Sequence, residues 1–365
     1  MSHRVVANFE VRSTRYVGPD GTLVGTLPVW ASDRDTVVEL YRAMTLTRAF
    51  DERAVALQRS GQLGTFASSL GQEAVTVGLA AAMNDRDVLV PSFREQGAQL
   101  WRGVTMVELL LYWGGDERGS DFAGPREDFP VSVPVGSHAS HAAGLAMAFQ
   151  LRDEPRVAVC VIGDGATSKG DVYEALNFAG IRRLPVVFVI NNNQWAISVP
   201  RSAQTAATTL AQKAIAAGVD GEQVDGNDVL AVRDRVGAAV ERARTGDGSS
   251  VIEAVTYRLT DHTTADDASR YRDEAEVSAR WGHEPLSRIR TLLVNQGWWG
   301  LEDEERLHGE VSNEIGAAVQ EYLAVGSEPA VAMFAHLHAD LPPSLRAQRD
   351  EVARRFPSGT VADHG

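Results

Sequence analysis

The sequence has a single cysteine, no long apolar run and no cluster of basic residues, and each absence excludes a class of protein. Cys160 is the single cysteine among 365 residues, so the chain cannot form an internal disulfide, and this suits a reducing compartment. We expect Cys160 to be a small core residue rather than a nucleophile. No stretch approaches the ~18 apolar residues of a membrane-spanning helix. A formal net charge of −14 without a basic block argues against nucleic acid or an anionic membrane as a partner.

The amino-terminal residues resemble no targeting segment, and the composition is that of a protein with a full core. MSHRVVANFE contains neither an apolar signal core nor an Arg/Ser-rich transit pattern, so we expect a cytoplasmic location. Hydrophobic residues form 44% of the chain, and its length suits one large α/β domain with extensions or two small domains. We expect an extended arm over residues 1–32, a main α/β domain over 33–330, and a helical segment with a tail over 331–365.

The segment from 157 to 200 has the pattern of a strand, a helix and a second strand. Residues 157–162 and 186–190 are β-branched runs of strand length, and residues 171–182 between them have helix length. Such a βαβ unit has a right-handed crossover and parallel strands. If these strands are neighbours, their carboxyl ends lie roughly 5 Å apart. The sequence therefore predicts an α/β fold with a parallel sheet.

Other patterns along the chain predict further elements. We expect helices over residues 33–60, 105–113 and 228–244 and a buried strand over 250–257. The run VLVPSFREQG at 88–97 is typical of a strand followed by a loop.

Polar residues follow both predicted strands at the edge where open α/β sheets bind ligands. Asp164 follows the first strand, and Asn191, Asn192 and Asn193 follow the second. Aspartate and asparagine are also common turn formers, but a carboxylate and an amide together offer the hard oxygen ligands that Mg²⁺ prefers. Mg²⁺ takes few protein oxygens and completes its octahedron with water and phosphate. The pattern predicts a metal-dependent phosphate site.

Glycines on each side of the predicted metal ligand strengthen the phosphate interpretation. Gly163 and Gly165 would let the backbone approach a phosphate closely and adopt unusual dihedral angles. The helix that follows points its amino terminus at the same place, and that end of a helix attracts anions.

Taken together, these motifs resemble those of a known family. GDG at 163–165, followed by the asparagines after the next strand, resembles the thiamin diphosphate signature. The wider pattern is similar to the alpha subunit of two-chain 2-oxo acid dehydrogenases, from about residue 33 to about 300. It includes SLGQEA at 69–74, SFREQG at 92–97, VDGNDVLAV at 224–232 and HTTADDASRYR at 262–272. The run at 284–299 is most similar to the branched-chain type.

This resemblance implies a doubly wound parallel sheet of the transketolase-like, thiamin diphosphate-binding fold, with thiamin diphosphate and Mg²⁺ held by residues 33–330. It implies three metal ligands: the side chains of Asp164 and Asn193 and the carbonyl of Trp195. It also implies cofactor contacts from Ser92, Phe93, Arg94, Val135, Gly163, Asp164, Gly165, Ala166, Asn193 and His262.

Some of these positions depart from the family or allow a second interpretation. Phe93 replaces the usual tyrosine, so a hydroxyl contact to phosphate is absent, and Ser92 is the candidate replacement. Asn191 stands where the family often has a basic residue. Arg94 is either an exposed arginine or a guanidinium fork for the diphosphate.

The loop that begins near His262 carries the implied acid–base residue. By resemblance His262 lies over the cofactor and passes a proton during acyl transfer, a role that its ordinary pKa of about 6.5 suits. A solvated loop histidine is the alternative. Around it the resemblance implies a loop-ordering network, and it places Thr263 where some relatives are phosphorylated on serine. The network residues are Arg258, Asp266, Tyr271 and Arg272.

The resemblance makes two further assignments. Ser132, Pro134 and Ser137 would hold a structural K⁺, close to the contact that Val135 makes with the aminopyrimidine through its backbone. Phe66 would line the acyl pocket, although an aromatic residue after a glycine turn also suits the core.

One catalytic group of the family is missing from the chain. The family activates its cofactor with a glutamate that contacts the aminopyrimidine ring, and in two-chain enzymes this residue belongs to the beta subunit. The resemblance thus implies an assembly of two alpha and two beta chains. This assembly would decarboxylate a 2-oxo acid of the branched-chain type and acylate the lipoyl domain of a dihydrolipoyl acyltransferase. Pyruvate and acetoin are alternative substrates, and a non-catalytic scaffold subunit or a Mg²⁺-dependent phosphohydrolase are alternative functions.

Overall fold

A parallel sheet forms the centre of the computed structural model, which describes residues 3–335 and 337–357. Within these residues the sheet has six strands in the order β1-β7-β8-β4-β3-β2, and every neighbouring pair is parallel. A separate antiparallel pair is formed by β5 and β6. The strands are β1 (Ser13–Thr14), β2 (Val88–Val90), β3 (Ala158–Gly163), β4 (Val186–Asn192), β5 (Trp195–Ala196), β6 (Val199–Pro200), β7 (Asp220–Asp225) and β8 (Ser250–Val255).

Helices connect the strands and make up most of the remaining regular structure. They are α1 (Arg34–Arg59), α2 (Glu73–Ala80), α3 (Gln96–Trp101), α4 (Met106–Trp113), α5 (His138–Leu151), α6 (Gly170–Arg182), α7 (Arg201–Gln204), α8 (Gln212–Ala217), α9 (Val229–Arg244), α10 (Glu274–Trp281), α11 (Pro285–Asn295), α12 (Leu301–Ala324) and α13 (Pro343–Arg355). Shorter 3-10 helices occur at Val29–Ser32, Glu117–Ser120, Gly165–Ser168, Ala268–Arg270 and Ala330–Phe334. No helix in the described part of the chain is long and apolar enough to cross a bilayer.

The predicted βαβ unit is present as β3, α6 and β4. The two strands are direct neighbours, and Gly163 at the end of β3 pairs with Asn191 near the end of β4. Almost every residue of both strands is buried, as expected where helices cover both faces of a parallel sheet. The pairing therefore places the loops after Gly163 and Asn192 side by side.

Two apolar clusters, one on each face of the sheet, confirm the doubly wound fold. On one face the alanine-rich helices α5 and α6 pack closely against the sheet, and Cys160 is buried there as the core residue that was expected. On the other face, α2, α3 and α9 contribute side chains such as Leu79, Ala98 and Val236. The small side chains of the first face let helix and sheet backbones approach closely.

Side-chain caps explain several helix starts. The Asp33 carboxylate accepts a hydrogen bond from the Thr36 amide at 3.2 Å and begins α1. Thr105 and Glu108 form a reciprocal capping box at the start of α4. Asp228 caps α9 by accepting from the Leu230 amide at 3.1 Å and the next amide. These helices match the predicted ones at residues 33–60, 105–113 and 228–244 to within one residue at each end.

The structure differs from the sequence-based elements at three places. β7 was not predicted because most of its residues are polar and only Val224 is fully buried. α3 begins at Gln96, within the SFREQG motif for which a loop was predicted. The strand predicted over 250–257 ends at Val255, so Arg258 lies in the loop beyond β8. Within the predicted arm of residues 1–32, β1 adds a short parallel edge strand beside β7.

The chain divides into two compact units, Met1–Val319 and Gln320–Gly365, and the sheet belongs to the first. In the second unit, α13 packs against the short 3-10 helix Ala330–Phe334. The predicted tail after residue 357 lies outside the described residues. The domain division at residue 330 stays a prediction.

Candidate active site

A cavity of about 510 Å³ lies beyond the carboxyl ends of β2, β3 and β4. This is the edge at which open α/β sheets bind ligands. Its wall contains almost every residue that the sequence analysis selected: Ser92, Phe93, Arg94, Val135, Gly163, Asp164, Gly165, Ala166, Asn193, Trp195 and His262. Side chains separated by more than 150 positions in the sequence are therefore brought together at one site.

Phe66 is the exception, and its predicted place in the acyl pocket is corrected. The side chain is fully buried and does not line the cavity. Its ring packs edge-on against Phe50 and against Trp113, with centroids 6.4 Å and 5.2 Å away. Trp113 itself lines the cavity, so Phe66 supports the wall from behind. The alternative interpretation of Phe66 as a core residue was the right one.

Asp164 occupies the bend that follows β3, with almost no exposed surface. Its Oδ2 accepts a hydrogen bond from Gln204 Nε2 at 2.6 Å. Burial raises the pKa of this carboxyl, and the hydrogen bond from Gln204 opposes that change. A bound cation would favour the ionised form further.

The three asparagines after β4 alternate in direction, as residues of an extended segment do. Asn191 and Asn193 line the cavity, whereas Asn192 turns away and donates to Glu253 at 2.7 Å. The side chain of Asn191 accepts from the Thr256 hydroxyl at 3.1 Å. Asn191 and Asn193 therefore share the cavity with Asp164, and Asn193 is the one of the two whose side chain does not bond to Thr256.

The oxygen set fits Mg²⁺ rather than a transition metal. Nowhere in residues 3–335 and 337–357 do three or more His, Cys, Asp or Glu side chains form a possible metal cluster. The carboxylate of Asp164 and the amide oxygen of Asn193 are hard oxygen donors, and so few protein ligands would leave positions for phosphate and water, as is usual for Mg²⁺.

Two buried guanidinium groups lie at the cavity, Arg94 on its wall and Arg258 behind His262. Arg94 donates to the carbonyl of Ser68 and to that of His262, both at 2.5 Å. Arg258 donates to the carbonyl of Ile197 and to the Tyr271 hydroxyl, both at 2.8 Å. Within the described part of the chain neither forms an ion pair with a carboxylate. Burial, and then the nearby Arg258, lowers the pKa of Arg94 to about 10. The site therefore contains two guanidinium groups outside any direct ion pair, and Arg94 can face an anion such as a diphosphate.

His262 lies between the two arginines and is neutral at pH 7. Its Nδ1 is 2.9 Å from Arg94 Nη2 and 3.4 Å from Arg258 Nη1. Burial, followed by repulsion from Arg94 and Arg258, lowers the pKa of His262 to about 4. Because guanidinium groups only donate, Nδ1 must accept and the proton of the neutral ring belongs on Nε2. The solvated-loop interpretation does not explain these contacts.

The loop around His262 is fixed by the residues that the resemblance selected. The Asp266 carboxylate accepts from the His262 amide at 2.8 Å and from the Tyr271 hydroxyl. The Arg272 guanidinium donates to the carbonyl of Arg258 at 2.5 Å. Thr263 lines the cavity beside His262. The expected loop-ordering network is therefore present.

The glycines around Asp164 matter because they lack a side chain, and not because they adopt unusual dihedral angles. Neither Gly163 nor Gly165 has a positive φ, so that part of the expectation is wrong. A methyl group at Gly165 would come within 2.6 Å of the Ala196 side chain, whereas one at Gly163 would meet nothing within 4 Å. Gly165 thus permits close packing of two loops, and Gly163 leaves open space on the cavity wall.

The predicted K⁺ ligands lie close together on the segment before α5. The Ser137 hydroxyl donates to the carbonyl of Pro134 at 2.9 Å and lies 3.4 Å from the Ser132 hydroxyl. Val135 lines the cavity next to Gly136, which adopts a left-handed conformation with φ of 78°. The K⁺ assignment itself stays a prediction.

Several cavity residues were not selected from the sequence. Gln72 and Glu95 lie inside motifs that carried the resemblance, and burial raises the pKa of Glu95 to about 7. His138 is a buried residue of the alanine-rich helix, and burial lowers its pKa. The amide Nε2 of Gln72 and the ring Nδ1 of His138 have no hydrogen-bond partner in the described structure. Only the membership of Gln72 and Glu95 in motifs marked them in advance.

Comparison with known proteins places this cavity in a family. The model of the family described as "Dehydrogenase E1 component" matches residues 41–329. The chain belongs to the dehydrogenase E1 component family. That match spans all strands of the sheet from β2 onward and every residue of the cavity.

The most similar relatives include alpha subunits for two different substrates. A 3-methyl-2-oxobutanoate dehydrogenase subunit alpha of Mycobacterium tuberculosis is 42% identical over 353 residues, which is 95% of either chain. The pyruvate dehydrogenase E1 component subunit alpha of Acholeplasma laidlawii is 40% identical, over 87% of this chain and 93% of the relative. The corresponding Staphylococcus aureus subunit is 38% identical, over 86% and 85%. The predicted family is thereby confirmed.

Proposed function

We propose that this chain is the alpha subunit of a thiamin diphosphate- and Mg²⁺-dependent 2-oxo acid dehydrogenase. The enzyme decarboxylates a 2-oxo acid and transfers the acyl group to the lipoyl domain of a dihydrolipoyl acyltransferase. One observation carries the proposal: a cavity at the strand ends brings Asp164 and Asn193 together with Arg94 and with a neutral histidine, which Arg258 also contacts.

The residues present fit the cofactor. Asp164, Asn193 and the Trp195 carbonyl would hold Mg²⁺, and Arg94 and Arg258 supply the positive charge that a diphosphate needs. The open space at Gly163 is a further feature of a ligand site. When bound, thiamin diphosphate supplies the electron sink for decarboxylation, which no amino-acid side chain provides.

His262 is the acid–base residue of the proposal. The neutral ring carries its proton on Nε2, while Nδ1 is held by Arg94. In this neutral form it can donate a hydrogen bond from Nε2 to an oxygen of the substrate or of the diphosphate, whereas donation of a proton requires the imidazolium form. An anion beside Arg94 and Arg258 would offset their charge and bring the histidine pKa closer to its ordinary value.

The site needs a second chain. Asp164 and Glu95 are the acids on the described cavity wall, and Asp164 is assigned to the metal. The Glu95 side chain folds back on its own segment, and its Oε2 accepts a hydrogen bond from the Arg94 amide at 3.2 Å. Glu95 thus lies beside Arg94, at the end of the site proposed for the diphosphate. The glutamate that contacts the aminopyrimidine would thus come from a beta subunit, in an assembly of two alpha and two beta chains.

The preferred substrate is a branched-chain 2-oxo acid, and the enzyme would then serve branched-chain amino acid degradation. The relative named for 3-methyl-2-oxobutanoate matches over 95% of the chain, more than the pyruvate relatives do. Pyruvate stays the second candidate because its relatives are nearly as similar. A scaffold subunit is disfavoured since the ligand set is intact. K⁺ binding at Ser132, Pro134 and Ser137 and a cytoplasmic location are parts of the same proposal.

The test is reconstitution with the beta chain. Co-expressed alpha and beta chains should form a heterotetramer and decarboxylate 3-methyl-2-oxobutanoate with a higher kcat/KM than pyruvate, in the presence of thiamin diphosphate and Mg²⁺. The alpha chain alone should show no turnover. Turnover by the alpha chain alone would refute the shared site, and a preference for pyruvate would refute the substrate assignment.

A further inference from the structure

Gln72 is a buried amide on the cavity wall, and its one side-chain hydrogen bond in the described structure is to Asn193. Asn193 Nδ2 donates to Gln72 Oε1 at 3.0 Å. Gln72 lies just before α2, whereas Asn193 follows β4, so the contact joins two distant parts of the chain at the site. The other side of the amide, Nε2, has no partner.

This contact determines which atom of Asn193 is available as a ligand. An asparagine amide has an oxygen on one side and a donor NH₂ on the other, and only the oxygen binds a cation. Asn193 Oδ1 accepts from the Trp195 amide at 3.2 Å, which leaves its second lone pair free. With Nδ2 held by Gln72, the amide cannot rotate to present its NH₂ group to the metal.

The glutamine is a poor choice for packing alone. A buried donor without a partner costs free energy, roughly 1–3 kcal/mol in proteins. A methionine has nearly the same length and would remove the unpartnered donor of Gln72. The advantage of a glutamine at this position therefore lies in the acceptor that it offers to Asn193.

We propose that Gln72 is a positioning residue that holds the Asn193 oxygen toward Mg²⁺. The inference rests on the proposed function, since it concerns the metal that accompanies thiamin diphosphate. Groups that orient a metal ligand typically change metal affinity 10–100-fold when they are removed.

The test is a Mg²⁺ titration of the assembled alpha–beta enzyme at saturating thiamin diphosphate, followed by calorimetry and by tryptophan fluorescence. Gln72→Met should weaken Mg²⁺ binding about 10–100-fold. Gln72→Glu keeps an acceptor for Asn193 Nδ2 and should recover most of the affinity. Gln99→Met is the matched control, because Gln99 is equally buried, also has an unpartnered Nε2, and does not line the cavity.

The outcomes separate positioning from general packing. We expect wild-type affinity in Gln99→Met, and an unfolding midpoint of the metal-free Gln72→Met enzyme within about 4 °C of wild type. Wild-type Mg²⁺ affinity in Gln72→Met, equal losses in Gln72→Met and Gln72→Glu, or an equal loss in Gln99→Met would each overturn the inference. A wild-type enzyme that takes up no thiamin diphosphate would overturn the proposed function instead, and this inference with it.

Discussion

Arg94 Nη2 lies 2.9 Å from His262 Nδ1 and so joins the loop after β2 to the loop after β8. The same guanidinium also donates to the His262 carbonyl at 2.5 Å. The histidine is therefore fixed at two atoms by a residue that also faces the proposed diphosphate site. This arrangement keeps the ring neutral, assigns its proton to Nε2, and links its protonation to the charge of whatever anion binds.

The depressed histidine pKa predicts a pH dependence of stability. His262 titrates near its ordinary pKa of about 6.5 when unfolded and at about 4 when folded. Between these values the unfolded chain binds more protons, so the free energy of unfolding falls as the pH falls from 6.5 to 4. Urea unfolding of the wild type and of His262→Asn over this range isolates the effect, because other buried acids are common to both. The wild type should lose stability more steeply; parallel curves would contradict the assignment.

The predicted metal ligands can be tested against a neighbour that faces the other way. Asp164→Ala and Asn193→Ala should each abolish thiamin diphosphate binding in the Mg²⁺-containing alpha–beta enzyme, without unfolding it. Asn192→Ala is the control, because Asn192 donates to Glu253 and not into the cavity. That variant should lose some stability and keep its cofactor affinity. Calorimetry measures all three, and normal affinity in either ligand variant would argue against the metal site.

Asp164 and Asn193 could be predicted because ligands bind beyond the carboxyl ends of parallel strands, and β3 and β4 are apolar runs whose ends are clear in the sequence. The same rule fails for Arg258. The strand before Arg258 was predicted to extend to Tyr257. In the structure β8 ends at Val255, so Arg258 belongs to a loop at the same edge of the sheet. Its role as a second guanidinium beside His262 depends on the order β8-β4-β3, which one sequence does not specify.

Other features were out of reach because they depend on contacts between distant residues. The pairing of Gln72 with Asn193 joins positions 121 residues apart, and nothing in local composition marks it. Phe66 was ambiguous for the same reason. An aromatic ring that lines the cavity and one that is buried behind the cavity wall have the same sequence pattern. β7 was not predicted because a strand in which only Val224 is fully buried has no apolar period in the sequence.

The two glycines beside Asp164 should respond differently to alanine. In Gly165→Ala the methyl group would meet the Ala196 side chain at 2.6 Å, so a loop must shift and stability should fall by about 1–3 kcal/mol. In Gly163→Ala the methyl group enters open space on the cavity wall, so stability should be retained while cofactor affinity falls. Urea unfolding and calorimetry distinguish the two. Tight cofactor binding by Gly163→Ala would show that the ligand does not use this part of the wall.

The corrected position of Phe66 makes a prediction about substrate selectivity. Phe66→Ala should destabilise the fold by about 3–5 kcal/mol, as core aromatic truncations do, and leave the ratio of kcat/KM for 3-methyl-2-oxobutanoate and pyruvate unchanged. Trp113→Ala removes a side chain that does line the cavity and should change that ratio. Steady-state kinetics of the assembled variants provide the comparison. A changed ratio in Phe66→Ala alone would return that residue to the acyl pocket.

The role of His262 can be separated into cofactor binding and proton transfer by two assays. In His262→Ala, decarboxylation with an artificial electron acceptor should persist to a large extent, because Arg94 and Arg258 still provide the charge for the diphosphate. Reductive acylation of a lipoyl domain should fall by about 10²–10⁴-fold, the usual cost of losing one positioned acid–base group. Thiamin diphosphate affinity measured on the same samples is the control. If both reactions fall together with cofactor affinity, His262 mainly holds the cofactor, because the ring would then serve as a donor to the diphosphate through Nε2. If neither falls, the contacts with Arg94 order the loop without taking part in the chemistry.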